Sequence, residues 1–222
     1  MSMVMVVAPH PDDEVLGPGG TLLRHLAEGD DVHVVIGTRG EESRFGTEQV
    51  ARVQGEARRV HVFLGVTGSH FLDLPAARLD DIPLADINAA LATVFEVVRP
   101  GTVYVPHPGD LHRDHQLVFQ AVMVCSRPGG AYAPSRILAY ETVSETEWFA
   151  PPLTPAFVPN VFVDISAHIE KKLEACAMYE SQIRPAPHQR SIEAMRAMSV
   201  TRGHTVGVRH AEAFMLIREV VS

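Results

Sequence analysis

The chain has 222 residues, 46% of them hydrophobic, and a net charge of −8 at pH 7; that length and apolar share suit a single α/β domain, residues 1–222, with a sizeable core. An acidic chain without a Lys/Arg-rich run excludes nucleic acid or an anionic membrane surface as the main partner. Its apolar stretches fall far short of the roughly 18 residues needed to cross a bilayer, and the N-terminus lacks a basic segment and cleavage site, so a cytoplasmic protein is expected.

Met3-Val4-Met5-Val6-Val7-Ala8 is a short, uninterrupted apolar run, the pattern of a strand buried on both faces of a parallel sheet. His10-Pro11-Asp12-Asp13-Glu14 follows at once. Gly17 to Glu28 then predicts a helix with Leu22, Leu23 and Leu26 on one side, and its glycines lack the G-x-G-x-x-G register of a nucleotide loop. Asp31 to Gly37 predicts a second strand, Thr47 a cap for a helix through Glu56 to about Leu64, and His70 to Leu74 a short third strand. Ala85 to Val98 places Ile87, Leu91, Val94, Phe95 and Val98 at helical spacing and stops before Pro100. A further strand-like run, Thr102-Val103-Tyr104-Val105-Pro106, leads into His107-Pro108-Gly109-Asp110-Leu111-His112-Arg113-Asp114-His115. Leu117 to Cys125 predicts the next helix and Arg136 to Tyr140 another strand. This βα alternation predicts a mostly parallel sheet flanked by helices.

Glu141 to Asn160 contains Trp148, Phe149 and four prolines, so it predicts a long loop of the kind that often serves as a lid. Trp148 either stacks on a substrate or packs against the core. Val161 to Asp164 predicts a strand, Ser166 a cap for a helix through Tyr179, and Ser191 to Met198 a helix beyond the turn at Arg184 to Pro187. His188, His204 and His210 are expected in surface or structural roles. The stretch Ala213-Phe214-Met215-Leu216-Ile217 predicts a core strand, with a homo-oligomer interface as the alternative. Cys125 and Cys176 stand in helix-like contexts and are expected as buried free thiols without a catalytic role.

The two polar clusters carry the functional expectation, because each directly follows an apolar strand-like run. Open α/β sheets place ligands outside the carboxyl ends of their strands, so neighbouring strands would bring both clusters to one rim. There His10, Asp13 and His115 can hold one ion with a position left open, and two imidazoles with a carboxylate suit zinc. Either cluster alone has an ordinary explanation, since acidic residues before a helix complement its dipole. Together they point to a catalytic metal site.

Pro9-His10-Pro11-Asp12-Asp13-Glu14 with His112-Arg113-Asp114-His115 resembles the zinc-dependent deacetylases of the LmbE-like, or PIG-L, family. Glu56-Ala57 with Leu64-Gly65-Val66, Tyr179-Glu180-Ser181-Gln182 and Ala211-Glu212-Ala213-Phe214 extend the resemblance along nearly the whole chain. The resemblance implies a Rossmann-like α/β fold without a nucleotide, and a reaction on the amide of a small N-acylated sugar or thiol conjugate. It implies His10, Asp13 and His115 as ligands of one Zn2+ per chain, with other divalent metals as alternatives. Asp12 matches the general base, and His112 a second catalytic group with Asp114 as its hydrogen-bonding partner.

The chemistry agrees. A zinc ion lowers the pKa of its water to about 7 and polarises a carbonyl, Asp12 can take the water's proton, and a protonated His112, favoured by Asp114, can complete an oxyanion pocket. Whether Asp12 or His112 protonates the leaving amine stays open. Family members usually carry an arginine three residues before the Glu-Ala pair, where Val53 stands here. Arg52 is one place off, a rotation of about 100° on a helix, and Arg39 and Arg44 are the other candidates for substrate contact. The expectation is a zinc-dependent N-deacetylase; the alternatives are a hydratase acting on a conjugated keto acid and a metal-binding protein without turnover.

Overall fold

A strand that is apolar at every position must be covered on both faces, and β1 (Met3–Ala8) is buried from Val4 to Ala8. The computed structural model describes residues 1–221. In it β1 lies inside a seven-stranded sheet with β2 (Asp31–Arg39), β3 (Gly68–Pro75), β4 (Thr102–Pro106), β5 (Arg136–Tyr140), β6 (Val161–Asp164) and β7 (Ala211–Glu219). The order is β3-β2-β1-β4-β5-β7-β6. The first five strands pair in parallel, whereas β7 runs antiparallel to both β5 and β6.

Side chains alternate between the two faces as the period of two requires. Met5, Val7, Val103 and Val105 enter one core with α5 (Leu84–Val98) and α6 (Arg113–Cys125), while Val4, Val6, Ala8 and Val34 enter the other. That second face is covered by α2 (Gly19–Ala27), α4 (Thr47–Leu64) and α7 (Ile169–Ala177). Each fully buried aliphatic side chain contributes about 1.5–3 kcal/mol, so a charge placed at Val6, whose exposure is 0%, would act on the centre of the sheet.

Several boundaries differ from the expected ones for identifiable reasons. The helix expected from Gly17 to Glu28 is α2, and a short α1 (Asp13–Leu16) precedes it, separated at Pro18, which has no amide to donate. Gly17 sits so close to Tyr140 that a Cβ there would meet the aromatic ring. Glu42–Phe45 adds a one-turn α3 whose end, Gly46, caps α4 in place of Thr47. Helix α6 starts at Arg113, inside the second polar cluster, because His112 Nδ1 accepts the amide of Asp114 at 3.1 Å. Ser191 caps α8 (Ile192–Thr205), accepting the amide of Ala194, and the helix runs past Met198. Residues 141–160 contain no helix or strand, as expected of that proline-rich loop. Ala213 and Phe214 are buried within β7, so this apolar stretch is a core strand. Among the described residues no helix is long and apolar enough to cross a membrane.

Candidate active site

The chain passes from β1 to β2 on one side and, through β3 and α5, to β4 on the other, so β1 and β4 flank the point where the winding reverses. Doubly wound sheets hold their ligands at such a point, and the loops after β1 and β4 carry the two polar clusters. The first is anchored by Thr38, whose amide and hydroxyl both donate to the carbonyl of Pro9, at 2.9 and 2.8 Å. Asp12 then adopts φ 116°, a conformation rare for a residue with a side chain. Its amide donates to Glu14 Oε2 at 3.0 Å, and Tyr179 donates its hydroxyl to the other Glu14 oxygen.

The clusters converge as the sequence predicts. His10 Nδ1 and His115 Nε2 lie 3.4 and 3.3 Å from Asp13 Oδ2, close to the roughly 3.3 Å that separates donors around a tetrahedral ion with bonds of about 2.0–2.1 Å. The remaining imidazole nitrogens are held by carboxylates: His10 Nε2 lies 3.1 Å from Asp114 Oδ2, and His115 Nδ1 lies 2.9 Å from Asp110 Oδ2. Such partners orient a ligating imidazole and leave its other nitrogen as the lone-pair donor. Asp13 Oδ1 and His115 Nε2 are buried without a hydrogen-bond partner, an arrangement that needs an explanation in a folded protein and that a cation between them supplies. Burial opposes charge on both imidazoles, yet the surrounding carboxylates raise His10 to about 9 and His115 to about 10. The cluster is therefore built around positive charge, and a His/Asp group here can hold a metal ion.

Two expected details differ. Asp114 bonds His112 through its backbone amide and not its carboxylate, which stays 3.9 Å from His112 Nδ1 and instead takes His10 and the amides of Ala77 and Leu79. Burial, reinforced by the neighbouring His10, pushes His112 down to about 4. That shift favours the neutral imidazole over the protonated form expected, and Nδ1, which accepts the Asp114 amide, leaves Nε2 to carry the proton of that form.

Asp12 borders a cavity of about 360 Å3 together with His10, His112, Glu145 and Arg190. Burial pushes its carboxyl up to about 8, with Asp13 and Glu14 acting in the same direction and Arg190 against it. Arg190 Nη1 lies 2.7 Å from Asp12 Oδ2, its Nε donates to Ser144 Oγ at 2.8 Å, and Nη2 is 3.7 Å from Glu145. None of the three arginines expected at the substrate borders this cavity among the described residues. Arg39 pairs with Glu42 at 2.8 Å, Arg44 donates to the carbonyl of Ala77, and Arg52 bridges Glu56 and Glu180 at 3.1 and 3.3 Å. The cavity wall holds Val53, and its lining arginines are Arg184 and Arg190. No local spacing flags Arg190, whose partner Asp12 is 178 residues away, whereas Asp110 lies only five residues from His115 within the second polar cluster.

A His–Asp–His cluster beside a second, arginine-paired carboxylate, at the switch point of a parallel sheet, defines a class of metal-dependent α/β enzymes. Residues 5–126 match the family model described as PIG-L: GlcNAc-PI de-N-acetylase, and the chain belongs to that family. It is 29% identical over 235 residues to the 1D-myo-inositol 2-acetamido-2-deoxy-alpha-D-glucopyranoside deacetylase of Mycobacterium sp. (strain JLS), covering 85% of this chain and 76% of that one. It is also 29% identical over 226 residues to the diacetylchitobiose deacetylase of Thermococcus kodakarensis, covering 96% and 82%. The crystal structure of the conserved protein TT1542 from Thermus thermophilus superposes with a TM-score of 0.81 at 31% identity, over 100% of this chain and 97% of that one.

Proposed function

We propose that this chain is a zinc-dependent N-deacetylase, hydrolysing the amide of an N-acetylated amino sugar or a related small N-acylated molecule. The observation that carries the reading is the division of the site: His10 Nδ1, Asp13 and His115 Nε2 meet at donor spacing, while Asp12 stands beside them held by Arg190. Both curated relatives are named deacetylases, which favours amide hydrolysis over hydration. Two imidazoles and one carboxylate suit zinc, one ion per chain. When bound, the ion would lower the pKa of a water molecule to about 7 and polarise the acyl carbonyl.

The protein's own groups supply the rest. Asp12 takes the proton of the attacking water, and burial, by raising its basicity towards neutral pH, suits it to that task. Arg190 fixes one Asp12 oxygen and leaves the other for the proton. His112, neutral and protonated on Nε2, donates a hydrogen bond to the developing oxyanion. A neutral imidazole releases its proton far less readily than a carboxylic acid, so the protonated Asp12 returns its proton to the departing amine. The free thiols Cys125 and Cys176 fit a reducing, cytoplasmic setting.

The test is acetate release, followed by NMR, from N-acetylglucosamine, its disaccharide and N-acetylated thiol conjugates. Equal amounts of acetate and free amine, abolished by a chelator and restored by zinc sulfate, are expected. Turnover that survives complete chelation would contradict the reading.

A further inference from the structure

The active-site cavity does not end at His112. A second cavity of about 540 Å3 shares His112, Glu145, Gln182, Arg184 and Arg190 with it and continues outward to Trp148, His188 and Arg113. Trp148 comes from the proline-rich loop and is 49% exposed; its ring meets His188 edge to face, with centroids 5.7 Å apart. That contact braces the indole while leaving ring surface exposed.

What distinguishes the groove is that two exposed arginines without a carboxylate partner among the described residues line the same cavity. In a chain of net charge −8, arginines such as Arg24, Arg78 and Arg196 each hold a carboxylate within 3 Å. Arg113 and Arg184 border the outer groove, are exposed, and hold no carboxylate among the described residues. Arg113 donates to Gln116 Oε1 at 2.7 Å, and Arg184 Nη1 donates to the carbonyls of Ser181 and Ile183 at 2.9 and 3.0 Å. These bonds orient both guanidinium groups without neutralising them. Glu145 is the carboxylate bordering the groove, and its ion-pair partner is Arg190, which is already committed to Asp12.

We propose that the outer groove is a subsite for a planar, anionic substituent on the amine side of the substrate, stacked on Trp148 and paired with Arg113 and Arg184. The proposal rests on the deacetylase reading for the direction in which the substrate lies, with its acyl end at Asp12 and its remainder leaving past His112. A guanidinium fork matches the paired oxygens of a carboxylate or phosphate, and an indole face takes a flat ring. Substrates would then be sorted by the group attached to the amino sugar as well as by the acetamide.

Trp148 is the single tryptophan of the chain, so its fluorescence reports occupancy of the groove independently of turnover. The probes are 4-carboxyphenyl 2-amino-2-deoxy-β-D-glucopyranoside and its uncharged 4-carbamoylphenyl isostere, titrated into the intact protein. The charged glycoside is expected to half-saturate quenching at about a tenfold lower concentration, with an advantage that shrinks in high salt. Arg113→Gln and Arg184→Gln should each reduce that ratio, and the double variant should bring it close to one. Equal half-saturation by the two probes, quenching by neither, or a charge preference that survives the double variant would overturn the subsite. The N-acetyl forms of the two glycosides separate this proposal from the reading beneath it. Acetate released from both at equal kcat/KM overturns the subsite and leaves the deacetylase standing; a charge-dependent quenching without acetate from either does the reverse.

Discussion

Asp12 joins the two halves of the chain at a single side chain. Its backbone sits at φ 116°, a conformation costing on the order of 1–3 kcal/mol that persists only where its surroundings impose it. Glu14, itself held by Tyr179, accepts its amide, and Arg190 takes its carboxylate from 178 residues away. Asp12 must be ionised to act as a base, so activity falls as pH drops through its pKa. Arg190 lowers that pKa, and Arg190→Ala should therefore move the acidic limb of the kcat/KM profile to higher pH, whereas Arg190→Lys, which keeps the charge, should move it less. An unshifted limb in Arg190→Ala would remove Arg190 from this role. Residues of this kind explain what the sequence does and does not disclose. His10, Asp13 and His115 can be found from local spacing because each lies shortly beyond a strand, His10 in the loop and Asp13 and His115 in the first turn of the helix that follows. Arg190 and Glu145 act on partners far along the chain and no local period marks them, whereas Asp110 stands five residues before His115 and goes unmarked within the cluster itself.

The motifs that extend the family resemblance become legible only as contacts between elements. Tyr179, just beyond α7, reaches Glu14 of α1, Ser181 donates to Glu56 of α4, and Glu212 of β7 accepts the amides of Gly20 and Thr21 at 2.7 Å each, where α2 begins. Glu212 also pairs at 2.6 Å with Lys172 of α7, and both side chains are nearly fully buried. Removing one partner of such a pair strands the other charge, at a cost of about 3–5 kcal/mol. Glu212→Ala should lower Tm by roughly 10 °C, and Glu212→Gln, which keeps an acceptor for the helix amides, by less. Calorimetry checks both, and an unchanged Tm in Glu212→Ala would contradict the role given to this pair. The break between α1 and α2 can be read at Pro18, but the early start of α6 cannot, because its cap is an imidazole that the sequence presents as part of the polar cluster.

Across the whole molecule, the βα alternation makes the parallel part of the sheet legible, and the order of the strands brings β1 beside β4. The antiparallel β7 is not legible, since an apolar run does not disclose its direction. Burial on both sides of this sheet also governs the thiols. Desolvation raises Cys125 to about 11 and Cys176 to about 12, so little of either is thiolate near pH 8. Cys176 is buried as expected and Cys125 only partly so; the native protein should resist iodoacetamide at that pH and take up two equivalents once unfolded, as counted by mass spectrometry, and rapid alkylation of Cys176 in the folded chain would contradict its burial.

The central claim is that His10, Asp13 and His115 hold a metal ion while Asp12 performs the chemistry beside it. Metal content, measured together with acetate release on the native protein, Asp12→Asn and His115→Ala, tests that division directly. The account predicts one zinc per chain in the native protein and in Asp12→Asn, a loss of kcat of at least about 100-fold in Asp12→Asn, and loss of both metal and activity in His115→Ala. A native protein that hydrolyses substrate with no bound metal, or an Asp12→Asn variant that turns over at the native rate, would contradict it.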